Sequence, residues 1–178
     1  MKTLTMVFAV ALALVLLSTA ANADPGINLS VVGSPGDLIV PSADIVRAGR
    51  NFATNSFLWS GTSALTVTGV DVSGAVLGWA VTVELNSGGS PLPTGVSLQV
   101  LRLTDGTGTA AKFGGAGYIG GGVVVPAGPD SAEFFSYNSP EDVANIGLGY
   151  RLVGCNVGNL HATSGPQLID LLFTVEEF

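Results

Sequence analysis

Charge is scarce in this chain and lopsided where it occurs. Charged residues make up 11% of the sequence, and thirteen acids face six bases for a formal net charge of -7. Two of the bases are lysines, Lys2 and Lys112, so Lys112 is the only lysine past the amino-terminal segment. A basic nucleic-acid footprint is therefore excluded, and an anionic membrane surface is an equally poor partner. Cys155 is the only cysteine, which rules out an intrachain disulfide and leaves stability to the core or to assembly. A lone thiol of this kind is expected to be buried as a small hydrophobe. His161 is the only histidine, and it sits in a stretch (158–166) that reads as a surface loop. With one imidazole and no Gly-x-Ser-x-Gly elbow, Ser-His-Asp hydrolysis lacks its parts, and zinc lacks donors.

What the chain does have begins with an address. Lys2 gives a positive start, Met6 to Leu17 is apolar, and Ala21-Asn22-Ala23 is a small-x-small cleavage site before Asp24. Residues 1–23 are thus expected to be a secretory signal peptide, with the mature chain starting at Asp24. The apolar run is short for a membrane span, and no cysteine follows it for lipid attachment. Secretion to the cell surface or beyond is the expected destination. No composition shift divides the remainder, so the expected units are a strand and hinge at 24–36 and one domain at 37–178.

That domain reads as all-β. Leu77, Trp79, Val81, Val83 and Leu85 alternate with Gly78, Ala80, Thr82 and Glu84, the period of a strand with one buried face. The same period recurs in Ala144, Ile146, Leu148, Tyr150 and Leu152, and in Ile169, Leu171, Phe173 and Val175. Shorter strands are expected around Ile27–Val31, 37–40, Phe57–Trp59, 65–72, 96–103, 123–125 and 132–137. One helical turn is expected at 42–49, capped by Ser42 and stopped by Gly49. From 65 to 72 the apolar phase changes at Gly69, as at a bulge, and Leu101 and Leu103 mark a second change. Phe134 and Phe135 should face opposite ways, leaving one exposed. Eight to ten short strands without a long helix specify a single, mostly antiparallel β-sandwich of immunoglobulin-like or pilin-like type. The expected core is Leu77, Trp79, Val81, Val83, Leu85, Ile146, Leu148, Tyr150, Leu152, Ile169, Leu171, Phe173 and Val175.

Candidate chemistry is thin. Asp105-Gly106-Thr107-Gly108 has the flavour of a calcium loop but lacks the carboxylates of a full oxygen shell. Glu141-Asp142 and Glu176-Glu177 are adjacent pairs that read as solvated turn and terminus charges. Phe57, Trp59, Phe134, Phe135 and Tyr137 are the candidates for a sugar-binding platform, with core packing the commoner use of such residues. No catalytic residue, cofactor or metal is assigned, and the expectation is a non-enzyme.

The segment 24–32 carries the most pointed signal. Ile27, Leu29 and Val31 alternate with Asn28 and Ser30, and Gly33-Ser34-Pro35-Gly36 then separates them from the rest. Such a strand can serve its own sheet or add to a neighbour's. Leu148-x-Tyr150-x-Leu152, a Gly-rich loop and the closing Ile169-x-Leu171-x-Phe173-x-Val175 strand resemble the last third of secreted pilin-like sandwiches, the spore-coat-U-like and archaic chaperone–usher pilins. Gly78-Trp79-Ala80-Val81-Thr82-Val83 followed by Leu92-Pro93-x-Gly95-x-x-Leu98 is similar to other secreted bacterial and archaeal sandwiches. Together these motifs cover about half of the mature chain and consist mainly of core alternation.

The resemblance implies fibres built by donor-strand exchange, with Ile27, Leu29 and Val31 as donor side chains and Gly33, Pro35 and Gly36 as the hinge. It implies copies of the chain as partners, and an export or assembly chaperone. The disulfide common in those pilins is impossible with Cys155 alone, which separates this chain from them. The expected role is a structural subunit of an extracellular filament or surface matrix. The alternative is a monomeric module binding carbohydrate or a surface partner through the loops at 112–122 and 158–166. An outer-membrane barrel fits poorly, because Thr174 and Glu176 share the Phe178 face of the last strand, where lipid demands apolar residues.

Overall fold

The computed structural model describes residues 12–15, 26–33, 55–59, 63–86, 92–115, 122–126, 130–156 and 167–178. The expected strand at 37–40 and the helical turn at 42–49 lie outside them. Among the described residues, no helix is long and apolar enough to cross a membrane.

The chain forms two packed sheets, a β-sandwich. One sheet has the order β1-β11-β5-β9-β7, from Leu12–Val15, Gln167–Glu177, Trp79–Leu85, Ala132–Tyr137 and Phe113–Gly114. The other has the order β2-β4-β10-β6-β8, from Asn28–Val32, Ala64–Thr68, Val143–Val153, Ser97–Arg102 and Val123–Val124. β3, Ser56–Trp59, continues the line of β4 along the same edge of β10. Every ladder is antiparallel except β1 on β11. The three alternating runs thus become the long strands β5, β10 and β11; β5 and β10 have neighbours on both sides over most of their length, while β11 pairs with β5 along Leu171–Glu177 and with β1 along Gln167–Asp170.

The inner faces agree with the alternation over most of their length. Trp79, Val81, Val83, Ile146, Leu148, Tyr150, Leu152, Ile169, Leu171, Phe173 and Val175 are all buried, and Leu85 is half-buried against them. Leu77 is the exception. It is 72% exposed, because β5 starts only at Trp79. Before that, the amides of Leu77 and Gly78 donate to the carbonyl of Phe178, and this fastening turns the Leu77 side chain out of the sheet's alternation. A Cβ on Gly78 would stand 2.3 Å from the Tyr137 carbonyl oxygen, so this close crossing requires glycine.

Four further departures from alternation have local causes. β4 ends at Thr68 rather than bulging at Gly69; Gly69, at φ 75, packs on the Gly26 carbonyl, and Val72 ends up exposed. In β10 a bulge between Val143 and Ile146, with Asn145 at φ 60, turns Val143 inward in place of Ala144. Asparagine tolerates that left-handed backbone better than most residues. In β9 the register against β5 slips between Val81↔Phe135 and Thr82↔Glu133. Phe134 is the extra residue, so Phe134 and Phe135 are both fully buried, contrary to the alternation. In β6 Leu98, Val100 and Arg102 keep one buried alternation, and Leu101 on the opposite face is buried as well, with Gly122 packed over it.

The aromatic residues pack as one chain of contacts. Trp79 meets Tyr137 at 5.3 Å and Phe135 at 5.9 Å between ring centroids, and Phe113 meets the same two rings. Phe134 bridges Phe135 to Phe173. The Trp79 indole donates to the Glu141 carbonyl at 3.0 Å, satisfying its one polar atom. Truncating Trp79→Ala is expected to cost about 3–5 kcal/mol, whereas Leu77→Ala should stay within about 0.5 kcal/mol. Thermal melts of the two purified variants check this; equal effects would contradict the boundary drawn at Gly78.

Candidate assembly interface

Two kinds of feature on this sandwich have the chemistry to do something: a polar cluster at one end of the sheets, and the open strand edges.

The polar cluster gathers around Lys112. A 3-10 turn at Ala110–Lys112 leads into β7, where a plain loop was expected from 112 to 122. Lys112 Nζ lies 2.7 Å from Glu141 Oε1 and 3.1 Å from Ser139 Oγ. The Tyr137 hydroxyl accepts from the Thr109 amide and donates to Glu141 Oε2. A lysine beside a serine has the outline of a Ser-Lys dyad, but the charges point the other way. The hydrogen bond that Lys112 donates to Glu141 raises the Lys112 pKa, and the same contact lowers that of Glu141. A lysine held as an ammonium is a poor general base. The cluster instead ties the 3-10 turn to the 139–141 turn, with the Asn138 amide donating to the Lys112 carbonyl.

The remaining sequence candidates separate in the same manner. Asp105 pairs with Arg102, whose guanidinium lies 4.0 Å over the Phe113 ring, and Thr107 accepts from the Ala144 amide. That segment is occupied in holding β10, and the described residues contain no group of three metal-ligating side chains. Asp142 Oδ1 accepts from the Val70 amide and Glu177 Oε1 from that of Asp71, so both acidic pairs anchor the 69–73 turn. Of the five candidate platform aromatics, Phe57, Phe134, Phe135 and Tyr137 are buried. The Trp59 side chain and His161 lie outside the described residues. Arg102 gave no signal in the sequence, since it stands among leucines at the end of a strand; its burial is explained by the Asp105 carboxylate together with the aromatic lid of Phe113 and Phe135.

The edges carry more. Among the described residues β2 is the outer strand of its sheet and pairs with β4 alone, from Asn28↔Thr68 to Val32↔Ala64. Ile27 and Leu29 are buried in the shared core and Val31 is half-buried against it, while Asn28 and Ser30 face out. Gly33 follows at φ 88, exposed; Pro35 and Gly36 lie outside the described residues. The segment singled out in the sequence is therefore seated within its own chain as an edge strand.

The second edge belongs to β11. Its inner neighbour is β5, and its outer neighbour is β1, which runs parallel to it from Leu12↔Gln167 to Val15↔Asp170. β1 lies wholly within the expected signal peptide. From Leu171 to Glu177 no strand among the described residues flanks the outer side. Beside this edge Asp170 is 5% exposed; its Oδ2 accepts from Asn86 Nδ2 at 2.8 Å, and its Oδ1 has no hydrogen-bond partner.

No protein-family model matches the chain, and a search of curated proteins gives no match.

Cys155 is buried and free, with its amide donating to the Asn55 carbonyl. Burial pushes its thiol up from the ordinary 9.0 to about 11. Native protein is therefore expected to resist iodoacetamide at pH 8, and denatured protein to react fully, by mass spectrometry. The raised value also sets a pH dependence. Its share of stability is complete below pH 9 and is lost as pH rises from about 9 to about 11, where only the unfolded thiol ionises. Thermal melts across that window should decline less steeply in Cys155→Ala.

Proposed function

We propose that this chain is a structural subunit of an extracellular filament or surface matrix, joined to its copies through the N-terminal strand β2, which is exchanged between subunits. The observation that carries the reading is the position of β2. It has one hydrogen-bonded neighbour, yet it supplies Ile27 and Leu29 to the core and ends at an exposed glycine with a left-handed backbone. A strand so placed finds the same β4 edge and the same apolar seat in a second copy. Exchange therefore costs no contact and gains a link.

Composition supports the same reading. A chain with little charge and no disulfide depends on its core or on assembly for stability, and linking subunits through a core strand answers that need. The alternative as a carbohydrate binder draws no support from the aromatics, since the four described candidates are used in the core. A chaperone acting before assembly would hold the seat that β2 fills.

Burying the apolar side chains of β2 is worth about 1.5–3 kcal/mol each before ordering costs. Leu29→Asp is therefore expected to abolish fibres in secreted material viewed by negative-stain electron microscopy. Ser30→Asp, on the exposed side, should leave most of them. Deleting residues 24–32 should remove fibres and leave a domain that a synthetic peptide of that segment stabilises. Fibres that survive the deletion would overturn the role given to β2.

A further inference from the structure

The outer edge of β11 remains to be explained. Among the described residues it is the longest strand edge with a single neighbour along most of its length, and such edges pair with other strands unless something covers them. Its cover among the described residues is β1, a segment that departs with the leader on the reading given above. That β1 sits there at all shows that the edge accepts a strand.

We infer that in the mature protein this edge is covered by the same edge of a second copy, the two β11 strands pairing antiparallel about a two-fold axis at Leu172. The strand is its own complement in that register. Gln167–Glu177 has Leu172 at its midpoint, so full overlap pairs each residue with the one equally far from Leu172 on the other copy. Leu171 then stands opposite Phe173, and Ile169 opposite Val175. All four are buried core side chains, so each inner face continues apolar across the contact. On the outer face Asp170 stands opposite Thr174, whose hydroxyl is a donor for the unpartnered Oδ1. A buried carboxylate oxygen without a partner is costly, and this register supplies one where Val15 of the leader has no side-chain donor. Moving the axis to Phe173 would set Asp170 against Glu176, and like charges directly opposite are destabilising. Moving it to Leu171 would leave Glu176 and Glu177 beyond the end of the partner strand.

The contact is isologous and closes on itself, so it makes a pair and not a filament. It goes beyond the role of β2 and does not require β2 to move. It rests on removal of the leader.

The test uses secreted protein carrying Leu172→Cys. On the axis of an antiparallel pair the two Cα atoms stand about 4.5–5.5 Å apart, within the span of a disulfide. Mild oxidation should convert most of this variant to a linked dimer, with Cys155 too buried to compete. Thr174→Cys should remain unlinked, because its two copies would be roughly 14 Å apart along the strands. In sedimentation equilibrium the fibre-free soluble fraction of the wild-type chain should dimerise. Thr174→Val should weaken the dimer about tenfold and Thr174→Ser much less, since serine keeps the donor. A monomeric Leu172→Cys, equal linking through Thr174→Cys, or equal effects of valine and serine would each overturn the inference. Linked dimers without fibres would sink the role of β2 and leave this contact standing; fibres without linking would do the reverse.

Discussion

The seat of Trp79 is the contact on which the rest of the sandwich depends. Its ring is fully buried against Phe135 and Tyr137, and its indole nitrogen is tied to the Glu141 carbonyl. Three strands are aligned by that one side chain, because β5 carries it and β9 supplies both rings, while the turn into β10 accepts its hydrogen bond. Phe113 then packs on the same two rings and lies over the buried Arg102 guanidinium of the opposite sheet. A chain without disulfides needs such a joint, since nothing covalent holds the sheets together.

Around this joint the polar groups are spent on loops. Glu141 holds Lys112 and Tyr137, Asp142 holds Val70, Glu177 holds Asp71 and Asp105 holds Arg102. Each carboxylate of the acidic pairs that sequence alone leaves in solvent has a turn to fasten, apart from exposed Glu176. This leaves the strand edges as the surfaces with unmet hydrogen-bonding capacity. β2 and β11 are the long ones, and their opposite numbers β7 and β8 are two residues each. The proposed assembly through β2 and β11 draws on these two edges.

The sequence by itself determined the all-β class and the three long strands β5, β10 and β11, because period-2 alternation is a local property. It also marked a strand that ends at Gly33, through the alternation of Ile27, Leu29 and Val31. It could not place Leu77, whose exposure depends on a carbonyl at the far end of the chain, Phe178. Nor could it reveal that Phe134 and Phe135 are both inside, since a bulge is a mismatch between two strands and is invisible in either one. Arg102 reads as a strand-end charge until Phe113 is brought over it. The outer side of β11, where no described strand flanks Leu171–Glu177, was equally hidden: alternation shows which face of a strand is buried, but its neighbours are decided only when the sheet is assembled.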